Sequence, residues 1–292
     1  MNHSLTASSP VSKRLSPRKM AFITGTLLLT STGFICRILG FFYRIFMSRT
    51  IGAEGLGIYN MVHPIFSICF AVCAGSIQTA LSQYVAANQT RGRAVFRTGL
   101  VIAMGMSFLL AWVIYGNAGF LAEKLLLEPR CAPYLPVMAV SVPFAALHAC
   151  INGYYYGMQK ARVPAFSQVA EQVIRMGAVF LIASIWLESG RQITVSLAVY
   201  GHLIGEMASA VFTVFCLGFF PPCKDGDSRR APAIPLSFGA TAAPLMALAL
   251  PLMGNRLILN VLGSAEAIWI PNRLMSSGLT NSEALSVYGV LT

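Results

Sequence analysis

The sequence predicts an all-α, polytopic membrane helix bundle, and three observations carry that prediction. Of its 292 residues, 56% are hydrophobic and only 11% charged, with a mean hydropathy of +0.67, outside the range of soluble domains. Apolar runs of about 20 residues, the length a helix needs to cross hydrocarbon, recur along almost the whole chain. None of these runs shows the strict alternation over roughly ten residues that marks a β-barrel strand.

The elements follow in order. A basic tail, 1–19, precedes the first run. Spans then fall near 20–48, 58–86, 98–116, 134–157, 165–187 and 193–220. Their short connections predict antiparallel neighbours in one six-helix lobe, 20–220. The Gly-rich stretch Ile51–Gly57 lacks the lysine of a phosphate-binding loop and reads as a tight connection between the first two spans. A polar, Pro-rich segment at 221–237 breaks the composition and serves as a cytoplasmic linker between lobes. A seventh span follows near 238–270. Thr280 and Glu283 have the spacing of a capping box, which opens an eighth helix near 283. The residues from there to Thr292 would rise only about 15 Å, half the hydrocarbon thickness. The expected architecture is therefore about seven transmembrane helices plus the start of an eighth, with 238–292 an incomplete C-terminal lobe of a truncated chain.

A net charge of +11 would favour nucleic acid as a partner in a soluble protein, but here its position along the chain gives it another meaning. Lys13, Arg14, Arg18 and Lys19, then Arg91, Arg93 and Arg97, then Lys160 and Arg162, then Lys224, Arg229 and Arg230 occupy the tail and alternate connections. The intervening connections hold only Arg49, Lys124, Arg130, Arg191 and Arg273. Positive residues stay on the cytoplasmic side, so the N-terminus is expected in the cytoplasm, with no nucleic-acid partner.

Seven cysteines show no framework spacing. Cys69 and Cys73 lie one turn apart without a nearby His or acid, so they read as small buried residues, and no metal site is expected. No catalytic constellation is present: there is no nucleophile elbow, no paired-histidine metal motif and no Gly-rich phosphate loop.

Four arginines lie at membrane depth, where each costs roughly 3 kcal/mol on insertion scales. Arg37 and Arg44 are seven residues apart, hence within about 20° of one helix face and roughly 10 Å apart along the axis. The same face continues through Thr26, Thr30, Gly33, Gly40 and Ser48, all small or hydroxylic. A small-residue stripe alone signals helix packing, whereas arginines within it point to a cavity wall. Arg44, nearer the end of the span, also has the reading of a side chain snorkelling to the interface. Arg175 follows Glu171 by one turn, in the favourable acid-before-base order, so an internal pair and a ligand contact both remain open. Arg256 has no acid within a turn, so its partner must come from elsewhere. Glu206 is the remaining acid at depth, suited to neutralising an arginine or to ion coupling, and Glu266 lies further along the seventh span. His63 reads as an interfacial residue.

The stretches Arg37-Ile-Leu-Gly-Phe-Phe-Tyr-Arg44, Ile51-Gly-Ala-Glu-Gly-Leu-Gly-Ile-Tyr59, Gly75-Ser-Ile-Gln-Thr-Ala-Leu-Ser82, Gly153-Tyr-Tyr-Tyr-Gly-Met-Gln159 and Pro164–Arg175 occur in a distinctive order. Together with Asn255-Arg256 through Leu274 and Ser286–Thr292, they resemble the stage V sporulation protein B family. These are polysaccharide-biosynthesis transporters of the multidrug/oligosaccharidyl-lipid/polysaccharide exporter superfamily, related to the lipid II flippases. The resemblance implies two six-helix lobes around a central cavity and alternating access. It implies a flippase in the cytoplasmic membrane that carries a lipid-linked, polyprenyl-pyrophosphate glycan or peptidoglycan precursor, for spore cortex or cell-wall polysaccharide. It further implies that Arg37 and Arg44 engage the substrate's pyrophosphate; the reading of the residues themselves adds Arg256 and Arg175 as candidate substrate contacts, with Glu171, Glu206 and Glu266 in coupling or charge pairing. No enzyme activity and no cofactor are expected beyond a coupling ion or the membrane potential. The expected partners are the lipid-linked glycan, membrane lipids and cell-wall synthesis proteins. The alternatives are an ion-coupled multidrug exporter of the same superfamily, which would favour acids and aromatics in its cavity, and a non-transporting membrane scaffold.

Overall fold

The structure is a computed structural model that describes residues 17–222 and 238–291. Most of the expected linker, together with Lys13, Arg14, Lys224, Arg229 and Arg230, lies outside the described residues.

The first helix, α1 (Pro17–Phe70), is one run of helical hydrogen bonds interrupted at Gly52, whose backbone has φ 76° and ψ 170°. That region is open to glycine and strained for other residues. The two arms of α1 lie side by side: Tyr43 of the first reaches Gly201, and Phe66 of the second stacks edge-on against the neighbouring His202, ring centroids 4.4 Å apart. The chain thus folds back around Gly52. The whole connection expected over 51–57 shrinks to one residue, because Ala53–Gly57 already belong to the returning helix.

The returning arm passes through a π-turn, Ala71–Gly75, into α2 (Ser76–Ala87). Ser76 stabilises the wide turn by donating its hydroxyl to the Ala71 carbonyl at 2.7 Å. Next come α3 (Gly92–Gly116), the single turn α4 (Ala118–Phe120), α5 (Leu135–Gly157), α6 (Arg162–Glu188) and α7 (Ser196–Phe219). Two helices close the described chain, α8 (Phe238–Ser276) and α9 (Asn281–Leu291). No strand occurs among the described residues. Among the described residues six stretches are long and apolar enough to cross a membrane, and the first of them, folded back at Gly52, supplies two of the seven expected crossings. The chain is an all-α polytopic membrane bundle.

α5 is the innermost helix, packed against α2, α3 and α7. Its buried face carries Ala139, Ala145, Ala146, Ala149 and Gly153, and small side chains let backbones approach where lipid supplies no hydrophobic drive between helices. A Cβ on Gly153 would lie 2.7 Å from the Gln78 carbonyl of α2. Large apolar side chains such as Phe180, Leu181, Leu187, Val211 and Phe215 point outward, as a lipid surround requires. α8 packs on α1, α2 and α3, and Thr241 of α8 shares a 2.7 Å hydroxyl hydrogen bond with Thr98 of α3. Pro244, Pro251 and Pro271 lie inside α8, which membrane helices tolerate where neighbours satisfy the freed carbonyls.

The capping box forms as the spacing predicts. Glu283 accepts from the backbone N–H and the hydroxyl of Thr280, both at 2.8 Å. α9 then docks on α1 with its backbone close, Gly57 lying against the Leu285 carbonyl and Gly289 against that of Ala53. At the same end Arg130 binds Glu54 at 2.6 Å and Glu128 at 2.8 Å, and Asn281 of α9 donates to Glu128 at 2.8 Å. The connections expected on one side of the membrane therefore meet at one end of the bundle. Cys69 and Cys73 are buried, with Cys73 donating to the Cys69 carbonyl at 2.9 Å, as small core residues would.

Candidate functional site

A polar cavity of about 500 Å³ opens between the returning arm of α1, the π-turn, α2, α5, α6, α7 and α8. Its charged lining comes from Glu171 and Arg175 on α6, Glu206 on α7 and Arg256 on α8. Polar side chains buried at membrane depth must satisfy one another, so their partners define what the cavity is built to do.

On α6, Glu171, Gln172 and Arg175 share one face at helical spacing. The Arg175 guanidinium pairs with Glu171 one turn away and donates from Nη1 to Gln172 Oε1 at 3.3 Å. It also stands 3.8 Å from Glu206 Oε1 on α7. Gly205 makes room for it: a Cβ there would fall 2.7 Å from Arg175 Nε. The second carboxylate oxygen of Glu206 accepts from His148 Nε2 of α5 at 2.8 Å. A turn earlier on α7, His202 Nε2 is 3.9 Å from Glu206 Oε1. The result is one network across three helices: Glu171, Arg175, Glu206 and His148.

His63 joins this wall and does not sit at the interface. Ser67 lies within hydrogen-bond distance of its Nδ1 at 3.3 Å, and its ring centroid is 5.6 Å from that of His202. The fold-back at Gly52 brings His63 against His202 of α7, a consequence of chain reversal that the neighbouring Pro64 does not signal.

Arg256 enters from the opposite wall. Among the described residues its Nη2 donates to Thr79 Oγ1 of α2 at 3.1 Å, and no carboxylate pairs with it. The π-turn places Gly75 directly beneath the guanidinium, where a Cβ would sit 2.5 Å from Nη1. The partner that had to come from elsewhere is thus a hydroxyl of α2, leaving the positive charge unneutralised beside the cavity.

Arg37 and Arg44 lie outside this pocket, exposed on α1, with no ion pair among the described residues. Their stripe adjoins the network through Gly40, where a Cβ would lie 3.2 Å from Gln172 Nε2. The charges of Arg44 and of Glu266 on α8 both act on the Tyr288 phenol of α9, so these groups gather beside the last turns of α9. Glu266 itself is exposed.

The sequence reading missed His148 and His202. His202 precedes Glu206 by four residues, the same spacing that identified Glu171 and Arg175, so a local signal existed. His148 is 58 residues from Glu206, and only the packing of α5 on α7 joins them. His148, Glu171 and Glu206 each bring a ligating atom within 4.8 Å of the others. The Arg175 guanidinium already occupies the carboxylate side of that space, so the constellation is one of hydrogen-bonded charge rather than metal ligation.

Comparison with known proteins agrees with this architecture. Residues 22–283 match the model of the family described as polysaccharide biosynthesis protein. The chain is 30% identical over 280 residues to Stage V sporulation protein B of Bacillus subtilis (strain 168), covering 94% of this chain and 54% of that protein. It is 19% identical over 271 residues to Sporulation protein YkvU of the same organism, covering 92% and 59%. It is 23% identical over 206 residues to that organism's Lipid II flippase MurJ, covering 65% and 38%. The chain spans about half the length of the curated relatives it matches. On the extent of the family match, borne by the same helices that build the cavity, this chain belongs to the polysaccharide biosynthesis protein family.

Proposed function

We propose that this chain forms the first lobe, and the beginning of the second, of a flippase. Its cargo is a lipid-linked, polyprenyl-pyrophosphate glycan or peptidoglycan precursor, carried across the cytoplasmic membrane by alternating access. The observation that carries the reading is Arg256, a guanidinium held by a hydroxyl and facing a polar cavity without a carboxylate. A pyrophosphate needs concentrated positive charge screened from water, and guanidinium forks bind phosphate oxygens bidentately. Arg37 and Arg44 extend the positive surface along α1, where the open space beside Gly33 leaves room for a headgroup. The polyprenyl tail stays in lipid throughout.

Flipping breaks no covalent bond, so the chemistry asks for charge and shape rather than a catalytic group. The positive-inside distribution supports a cytoplasmic N-terminus, and cell-wall synthesis proteins are the natural suppliers and users of such a cargo. Glu171 and Glu206 invite comparison with exporters of cationic drugs. Both carboxylates, however, are already engaged by Arg175 and His148, whereas Arg256 has no carboxylate partner among the described residues.

Binding tests the reading directly. A fluorescent polyprenyl-pyrophosphate glycan should raise the thermal unfolding midpoint of the purified protein, and Arg256→Ala should abolish the increase. An equal increase in both proteins would overturn the assignment.

A further inference from the structure

We propose that the His148–Glu206 pair is a proton-binding site whose occupancy is linked to anion binding at Arg256. The inference deepens the proposed function and rests on it for the identity of the anion, but the proton site itself stands on the geometry of the first lobe.

The charge count is the starting point. Glu171 and Glu206 are both buried or nearly so beside a single internal cation, Arg175. With neutral histidines this cluster carries one uncompensated negative charge at membrane depth, an expensive state unless something neutralises it. Two groups in the cavity meet that need. One is a proton on the His148–Glu206 hydrogen bond, 2.8 Å long and joining α5 to α7 in the cavity wall. The other is Arg256, across the same cavity on α8.

The surroundings favour an exchangeable proton over a fixed structural pair. Both ring nitrogens of His202 are buried without a hydrogen-bond partner, as are His148 Nδ1 and Asn152 Oδ1. His202 is 3% exposed and one of those nitrogens stands 3.9 Å from Glu206. Unsatisfied imidazole beside a carboxylate offers a second position for the proton and a route along the wall towards His63, whose ring faces His202. The remaining titratable groups facing the pair are phenols and a thiol of α1. Tyr43 and Tyr59 lie within electrostatic reach of Arg175, and Cys36 within reach of Glu171. A small metal cation in the same place would confront the Arg175 guanidinium directly, which a proton shared between His148 and Glu206 avoids.

The two neutralising groups compete. When the pair holds a proton, the cluster is neutral and Arg256 is the uncompensated charge, available to an anionic headgroup. When the proton leaves, the cluster's negative charge attracts Arg256 and repels the anion. Proton and anion therefore bind cooperatively, and the coupling is reciprocal by thermodynamic necessity.

The experiment has two arms. Infrared difference spectra of the purified protein, recorded across a pH series without any probe, should show an imidazole-ring or carboxyl band that titrates and that Glu206→Gln removes. In lightly buffered detergent, adding a fluorescent polyprenyl-pyrophosphate glycan, whose diester phosphates carry fixed charge, should cause proton uptake in the wild type and none in Glu206→Gln. Identical titrations in wild type and Glu206→Gln would overturn the proposal, as would a band that answers to sodium rather than to pH. A titrating band that Glu206→Gln removes, without binding of the glycan probe, would support the proton site and count against the flippase reading alone. If Glu206→Gln does not fold, His148→Gln must shift the titration, and an unshifted band overturns the proposal equally.

Discussion

Arg256 and Thr79, 177 residues apart, meet at 3.1 Å directly above Gly75, whose missing side chain holds the space that the guanidinium fills. A Cβ on Gly75 would fall 2.5 Å from Nη1, the far end of a flexible side chain. Gly75→Ala should therefore displace Arg256 and nudge the Phe70 ring, 3.0 Å from the same Cβ, a cost that alanine's gain of about 0.8–1 kcal/mol of helix propensity over glycine offsets. The expected result is glycan binding reduced towards that of Arg256→Ala, with an unfolding midpoint close to wild type. Fluorescence titration and a thermal melt of the same sample check both halves.

The His148–Glu206 pair should behave as a buried ion pair does when one member is removed. His148→Leu leaves Glu206 buried with no hydrogen-bonded partner and only the Arg175 guanidinium 3.8 Å away, and should destabilise the protein by about 3 kcal/mol. Adding Glu206→Met in the same chain removes the stranded carboxylate and should recover much of that loss. Denaturant titration in mixed micelles of the single and double variants measures the coupling.

The docking of α9 on α1 depends on glycines that face backbone. A side chain at Gly57 would drive into the Leu285 carbonyl, which cannot move as a side chain can. Gly57→Val should cost about 1–3 kcal/mol by overpacking and separate α9 from α1. Protease sensitivity near residue 280, compared with wild type, reports the separation.

The polar end of the bundle should loosen in acid. Burial pushes the Glu128 carboxyl up, but hydrogen bonds from Arg130 and Asn281 outweigh it and hold the group below its ordinary value of 4.5. A carboxyl depressed in the folded state contributes stability that is complete above the ordinary value and is lost as pH falls through the folded one. Unfolding midpoints should accordingly drop below about pH 4.5 in the wild type, and less steeply in Glu128→Gln.

The helices were legible because lipid imposes one requirement on every crossing, an apolar run of fixed length. The capping box of Thr280 and Glu283 was legible because its chemistry is local. Gly52 was harder: the whole stretch from 51 to 57 looks like a loop by composition, yet only one residue needs the unusual φ, and the glycines at 55 and 57 serve packing. The Glu171–Arg175 pair could be read from its spacing, and His202–Glu206 could have been by the same rule. His148 could not, because nothing within α5 indicates which face meets α7. The π-turn at Ala71–Gly75 was equally silent, although it sets Gly75 under Arg256. The need of Arg256 for a distant partner was visible from the absence of a nearby acid, but the partner's identity as a threonine on α2 was not.

The central claim is that unneutralised arginines bind the pyrophosphate of a lipid-linked glycan and carry it across. Leaflet-resolved translocation of a fluorescent polyprenyl-pyrophosphate glycan in proteoliposomes tests it most directly. Arg37→Ala and Arg256→Ala should each slow translocation by about tenfold or more, the loss of roughly 1.4 kcal/mol or more of transition-state stabilisation. Unchanged rates in both variants would contradict the account.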